Sequence, residues 1–255
     1  MTLNALIFDV DGTLADTERD GHRVAFNAAF KELGLDWNWD EALYGKLLAV
    51  TGGKERIRYF VDQFLSGYDK PADFDDLVLE LHQTKTRHYV AMLDQGTIPL
   101  RPGVRRLMDE ARAAGLRLAV ATTTTPENVT ALLKNSLATD AEDWFDVIAA
   151  GDIVPAKKPA PDIYLWALEK AGWKPGECLA FEDSRNGLKS SLGAGLRTLV
   201  TVSSYTENED FDGAFAVLSD LGEPGRPFKV LKGDADERDY VDLDLLRWWH
   251  SRVNA

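Results

Sequence analysis

The residues with most chemical promise stand near the N-terminus. Asp9 and Asp11 follow the apolar run Leu6-Ile7-Phe8 and precede Gly12-Thr13. In extended chain, residues i and i+2 point to the same side, so a short buried strand delivers both carboxylates together at its C-terminal end. Two acids that close need a hard divalent cation or a shared proton between them. Gly12 lets the backbone turn sharply there. Three later stretches carry groups that suit the same chemistry. Thr122 leads a run of four threonines, Lys157-Lys158 precedes Pro159, and Glu182-Asp183 precedes Ser184. A hydroxyl at a strand end, with the amides of the next helix, holds a phosphoryl oxygen. An ammonium neutralises a nucleophile and a transferring phosphoryl group. A further pair of carboxylates completes a Mg²⁺ site, an ion that takes few carboxylates and keeps waters. Singly, each stretch also reads as something plainer: an acidic turn, an N-cap or a solvated basic loop.

These groups act together only if the fold gathers them. The hydrophobic pattern predicts strands over residues 116–121, 145–150, 178–181, 196–202 and 214–218, alternating with helices over 103–114, 126–134, 160–171 and 185–192. Such alternation gives βαβ units and a parallel sheet, whose strand ends converge on one rim. Each candidate stretch directly follows a predicted strand. Between residues 18 and 97 the pattern is helical throughout, with helices over 24–33, 41–50, 54–65 and 73–93 and no convincing strand. Asp16 to Gly21 reads as a turn, and Asp36 to Asp40 as a polar, tryptophan-bearing connector. Leu245 to Trp249 reads as a last helix docked on the core. The predicted architecture is α/β: a doubly wound, Rossmann-like parallel sheet formed by residues 1–17 and 98–255, interrupted by an all-helical cap domain over 18–97.

Length and charge narrow the function classes. The 255 residues, 45% hydrophobic and 28% charged, suffice for a sizeable core. A formal charge of −13 and a pI of about 4.8 argue against nucleic acid as a partner. An anionic substrate then requires local basic residues. The single cysteine, Cys178, excludes an internal disulfide, fits a reducing compartment and reads as core. No apolar run of roughly 18 residues marks a membrane span, and no leader peptide is read at the N-terminus. The expectation is a cytoplasmic monomer that does not bind membranes.

The four stretches, taken in order, resemble the four motifs of the haloacid dehalogenase-like hydrolases. Asp9-Val10-Asp11-Gly12-Thr13 matches D-x-D-G-T, Thr122 the second motif, Lys158 the third (with Lys157 as fallback), and Glu182-Asp183-Ser184-Arg185-Asn186-Gly187 matches E-D-S-x-x-G completely. The helical interruption falls where that family carries its cap. The resemblance implies that Asp9 is the nucleophile, that Asp11 is the general acid/base, and that Asp9, Asp11 (through its carbonyl), Glu182 and Asp183 surround Mg²⁺. It implies an aspartyl-phosphate intermediate. Ion-pumping relatives carry threonine where Asp11 stands, so an aspartate there favours an alcohol leaving group such as a sugar.

Substrate choice falls to the cap. Gly53 and Lys54, in Gly52-Gly53-Lys54-Glu55-Arg56, set cations at a helix N-terminus. Lys85 and Arg87, spaced i, i+2, do not share a helix face, so at most one enters the cleft. Lys85 matches a substrate-phosphate lysine of β-phosphoglucomutases. Glu18, His22 and Thr123 complete the candidate substrate-binding set, though a lone histidine and surface cations are commonly structural. The wording of 16–23, 52–56 and 151–164 resembles CbbY-type phosphatases. Those are understood to hydrolyse xylulose-1,5-bisphosphate, an inhibitory by-product linked to the Calvin–Benson cycle. The alternatives are a phosphomutase of the β-phosphoglucomutase type, a phosphoglycolate phosphatase and, from another class, a non-catalytic metal-binding interaction module on the same fold.

Overall fold

The computed structural model describes residues 2–96 and 98–252; the expected cap boundary at Thr97 and the two termini lie outside them. Seven strands form one sheet in the order β3-β2-β1-β4-β5-β6-β7. They are β1 (Ala5–Phe8), β2 (Arg117–Ala121), β3 (Val147–Ala149), β4 (Cys178–Glu182), β5 (Arg197–Thr201), β6 (Ala216–Leu218) and β7 (Val230–Lys232). The first six run parallel; β7 is antiparallel to β6. Strand β1 lies centrally, between β2 and β4, so the chain winds outward on one side of it and then on the other. That reversal places the mouth of the sheet at the C-terminal ends of β1 and its neighbours.

Alternation along β1 explains why it sits there. Leu6 and Phe8 enter one core with Leu107, Val129, Leu246 and Trp249, whereas Ala5 and Ile7 enter another with Ile163, Tyr164 and Ala180. A strand with both faces covered needs apolar residues at every position. The helices that cover it are α5 (Val104–Ala113), α6 (Pro126–Leu132), α7 (Asp162–Ala171), α8 (Arg185–Gly193) and the C-terminal α9 (Leu243–Arg252).

Between β1 and β2 come α1 (Arg23–Glu32), α2 (Glu41–Leu47), α3 (Gly53–Phe64) and α4 (Phe74–Asp94). They enclose an aromatic core of their own, with Phe26, Phe30, Trp37, Trp39, Tyr44 and Phe60. The connector over 36–40 is polar as expected, exposed at Asp36, Asn38 and Asp40, but it buries both of its tryptophans in this core. Trp39 is fully buried, and Asn27 anchors its backbone by donating to the Trp39 carbonyl (2.9 Å) and accepting from its amide (2.8 Å). A flanking asparagine one helix away supplies what the local sequence lacks. The two strands of chain that join this unit to the sheet are tied together. Ala15 bridges both Asp11 and Leu100, and the Arg101 amide donates to the Leu14 carbonyl at 2.8 Å.

Other differences from the expected elements are local. Within Asp16 to Gly21, expected as a turn, Glu18 begins a wide helical turn that ends at His22 and runs directly into α1. The helix after Pro126 extends through Leu137 by a similar turn. Strand β3 is three residues long, and a short 3₁₀ turn over Ala141–Trp144 precedes it. Strand β7, missed in the sequence, is exposed at all three positions and has no hydrophobic alternation to betray it.

Candidate active site

Strands β1 and β4 are hydrogen-bonded neighbours, so Asp9 and the Glu182-Asp183 pair emerge side by side. Ligand oxygens of Asp9, Glu182 and Asp183 all lie within 4.8 Å of one another, and all three side chains are buried. The turn at Gly12 makes this possible. Its φ is +81°, and a Cβ there would run into the Asp183 carboxylate. Gly187, in the first turn of α8, does the same for Glu182: a Cβ would overlap its Oε2. Ser184 caps α8 by accepting from the Gly187 amide at 3.2 Å, which keeps that turn against the carboxylate.

Lys158 is the cation bonded to two of these acids, while Arg101 acts on Asp183 from farther away. Lys158, 5% exposed, donates to Asp9 Oδ1 and to Glu182 Oε1, both at 2.6 Å. Burial, reinforced by Glu182 and Asp11, pushes the Asp9 carboxyl up to about 7, against the pull of Lys158. Burial and the nearby charges of Asp9 and Glu182 hold Asp183 well above the usual carboxylate range. Burial opposes the charge on Lys158, but Asp9 and Glu182 outweigh it and raise its pKa. Three buried carboxylates against one ammonium is an unfavourable arrangement unless more positive charge arrives. A small divalent cation with a preference for carboxylate oxygens fits that deficit. Thr122, 1% exposed at the end of β2, lines the same cavity as Asp9, Lys158 and Asp183.

Asp11 is set apart from the three-carboxylate group. Its Oδ1 accepts from Thr17 Oγ1 at 2.6 Å and pairs with His22 Nε2 at 2.8 Å. Burial alone would raise its pKa, but His22 and Thr17 hold it well below the usual range. The Asp11 carboxylate thus has its own partners, consistent with the expectation that Asp11 would face a metal through its backbone carbonyl. Glu182 Oε1 is likewise occupied, by Lys158 and by the Tyr164 hydroxyl at 2.5 Å.

The cap unit supplies a second polar cluster. A cavity of about 500 Å³ is lined by Asp11, Glu18, His22, Lys54, Arg56 and Lys85, among others. It meets the cavity of about 270 Å³ over Asp9 and Lys158 at Asp11, Glu18, Arg56 and Thr123. Lys85 is 4% exposed and sits over the rings of Phe26 and Tyr89 at 5.2 Å, with no carboxylate within ion-pair distance among the described residues. Burial lowers its pKa to about 8. Arg87, by contrast, faces outward and pairs with Glu32, as the i, i+2 spacing requires. Glu18 accepts from the Tyr44 hydroxyl at 2.5 Å, and Arg56 donates to the same hydroxyl at 2.7 Å. Lys54 does not stand free: its Nζ lies 2.5 Å from Asp152, on the loop after β3. Gly53 lines the cavity where His82 packs on it; a Cβ there would meet the imidazole at 2.6 Å.

Several of these residues escaped the sequence reading. Tyr44 and His82 are singled out by no motif, and Thr17 and Tyr164 stand only inside the stretches 16–23 and 151–164 with no role given; each becomes meaningful through a partner on another element. Arg56, read with Lys54 as one of two cations after Gly52-Gly53, lines the cavity.

The profile of haloacid dehalogenase-like hydrolases matches residues 3–195. The protein CbbY (plasmid) of Cupriavidus necator is 47% identical over 248 residues, 97% of each chain. CbbY of Rhodobacter capsulatus is 52% identical over 221 residues, covering 87% of this chain and 95% of its own. A crystal structure of a CbbY variant from Rhodobacter sphaeroides, in complex with xylulose-(1,5)bisphosphate, superposes with a TM-score of 0.79 at 47% identity, covering 86% of this chain and 95% of that one. The chain belongs to the haloacid dehalogenase-like hydrolase family. Within that family it is an enzyme of the CbbY type, a phosphatase.

Proposed function

We propose that the chain hydrolyses one phosphate of a small sugar bisphosphate, with xylulose-1,5-bisphosphate to xylulose 5-phosphate as the leading reaction. Asp9 and Asp183, with the Asp11 carbonyl and Glu182 close by, would hold Mg²⁺, which when bound supplies the positive charge that lets two anions meet. Asp9 attacks phosphorus in line, the bond from phosphorus to the sugar oxygen breaks, and an aspartyl phosphate forms. Asp11, aimed by Thr17 and His22 and ionised at rest, takes up a proton when the anionic phosphate enters beside it and passes that proton to the leaving alkoxide. It then takes a proton from water, which attacks and releases inorganic phosphate and free Asp9. Lys158 offsets the charge of Asp9 throughout, and Thr122 with Thr123 receives phosphoryl oxygens.

The observation that carries the bisphosphate reading is Lys85. A buried ammonium with no carboxylate within ion-pair distance among the described residues, offset only at longer range by Asp11 and Glu18 and lining a cavity that adjoins the one over Asp9, is stabilised when an anion joins it. With Arg56 beside it, that position suits the second phosphate, while Glu18 and His22 suit sugar hydroxyls. The bound ligand of the Rhodobacter sphaeroides variant is a molecule of this kind. We read residues 18–97 as the cap that brings this anchor to the sheet.

The test is phosphate release from a panel of sugar mono- and bisphosphates with Mg²⁺. Xylulose-1,5-bisphosphate should be preferred, EDTA should abolish turnover, and Asp9→Asn should lower kcat by roughly 10³-fold or more with an unchanged Tm. Equal turnover of monophosphates would remove the bisphosphate assignment. Release that depends on a bisphosphate primer and stops after a burst would point to a mutase instead.

A further inference from the structure

We infer that Tyr164 is a positioning residue for the reaction: its hydroxyl holds Glu182 so that the Lys158 ammonium stays on Asp9. This rests on the proposed reading of Asp9 as nucleophile. Lys158 bridges two carboxylates at the same distance, 2.6 Å to Asp9 Oδ1 and 2.6 Å to Glu182 Oε1. Geometry alone does not favour the reacting one. A third donor breaks the tie. The Tyr164 hydroxyl donates to that same Glu182 Oε1 at 2.5 Å, and its ring lies 5.1 Å below the ammonium. An oxygen already bonded by a phenol has less charge to offer a second donor, so more of the ammonium's field falls on Asp9.

Neither partner is able to move away. The Tyr164 ring is fully buried among Ala5, Ile7, Cys178 and Ala180, against the two central strands. The turn that leads into α7 is pinned from the neighbouring helix, where Ser190 Oγ donates to the Ala160 carbonyl at 2.6 Å. Glu182 is fixed from the other side. Its Oε2 is buried, has no hydrogen-bond partner among the described residues, and lies against Gly187, where no side chain fits. Without the hydroxyl, Lys158 is free to settle on Glu182, and Asp9 then faces the incoming phosphate with its charge less offset.

Tyr164→Phe tests this, because it keeps the ring and its packing and removes only the hydroxyl. Xylulose-1,5-bisphosphate is the substrate and Asp9→Asn is the control. The expected result is a kcat lowered about tenfold, with KM changed less than about threefold and Tm within about 3 °C of the parent. A crystal structure of the variant should show Lys158 Nζ drawn to Glu182 and beyond hydrogen-bond distance of Asp9. A kcat within about twofold of the parent, a loss confined to KM, or Lys158 unmoved on Asp9 overturns the inference. If Asp9→Asn itself keeps turning over, the nucleophile reading has failed. An inert Asp9→Asn beside a fully active Tyr164→Phe rejects the role of Tyr164 alone.

Discussion

Asp9 and Asp11 leave the same strand two residues apart and are given opposite character by what surrounds them. Asp9 is buried beside two further carboxylates, and burial with their charge pushes its pKa to about 7 against the pull of Lys158. Asp11 meets a hydroxyl and an imidazole, and its pKa falls below the usual range. Pairs of acids driven apart in this way take different roles in a reaction. If Asp11 protonates the departing alkoxide, Asp11→Asn should lower kcat for a sugar phosphate by about 10²- to 10⁴-fold. The same variant should lose far less, about tenfold or below, on p-nitrophenyl phosphate, whose leaving group needs little help from an acid. Comparing the two substrates in steady state measures this. Equal losses on both would assign Asp11 to binding rather than proton transfer.

Helix α4 shows how one element serves stability and site together. His82 and Lys85 lie one turn apart on the face toward the cavity, and Leu81 and Tyr89 pack the neighbouring face. Burial lowers the His82 pKa to about 3, with Lys85, Lys54 and Lys157 adding to the effect and Asp152 opposing it. The sign follows directly. Between about pH 6.5 and pH 3 the unfolded chain binds a proton at this imidazole and the folded chain does not, so stability falls as the solution is acidified through that window. Above pH 6.5 both states are neutral there and nothing is lost. From pH 7 to pH 5 the loss from this group should be about 2 kcal/mol. Urea denaturation of the parent and of His82→Gln at both pH values isolates it. The variant should shed less stability over that interval, and equal losses would show that His82 is not the group responsible.

The inserted helices and the sheet together line the two adjoining cavities, so their contact is part of the site. At one edge the cap residues Lys54 and Glu55 meet the core residues Asp152 and Lys157. Lys54 lies 2.5 Å and Lys157 2.8 Å from the Asp152 carboxylate, and these bonds hold its pKa at about 2. Elsewhere along the contact Asn186 reaches Thr51 Oγ1 at 3.3 Å, and the tilted rings of Tyr205 and Tyr44 lie with centroids 6.0 Å apart. The charged edge is partly exposed and therefore sensitive to salt. Asp152→Asn should raise KM about three- to tenfold and leave kcat within about twofold. Raising NaCl to about 0.5 M should shift the parent toward the variant and leave the variant nearly unchanged. Steady-state titrations at two salt concentrations settle it, and an equal salt response in both proteins would show that the clasp does not govern substrate entry.

The order of elements, the inserted helical unit and the four chemical stretches could all be read from the chain itself. Each depends on short-range information: hydrophobic periodicity, a glycine at a sharp turn, acids and a lysine placed directly after apolar strands. Family likeness then turned those stretches into expected roles. What the linear order does not contain is which partner each group finds. That Asp11 is held by Thr17 and His22, that Glu182 is bonded by Lys158 and Tyr164, and that Trp39 is core rather than surface all depend on contacts between separate elements. Lys54 and Lys85 look alike as lysines on cap helices, yet packing left one paired with Asp152 and the other buried with no carboxylate within ion-pair distance among the described residues. Local patterning decides where a charged side chain begins, and only the packed fold decides what lies at its far end and hence what its charge is worth.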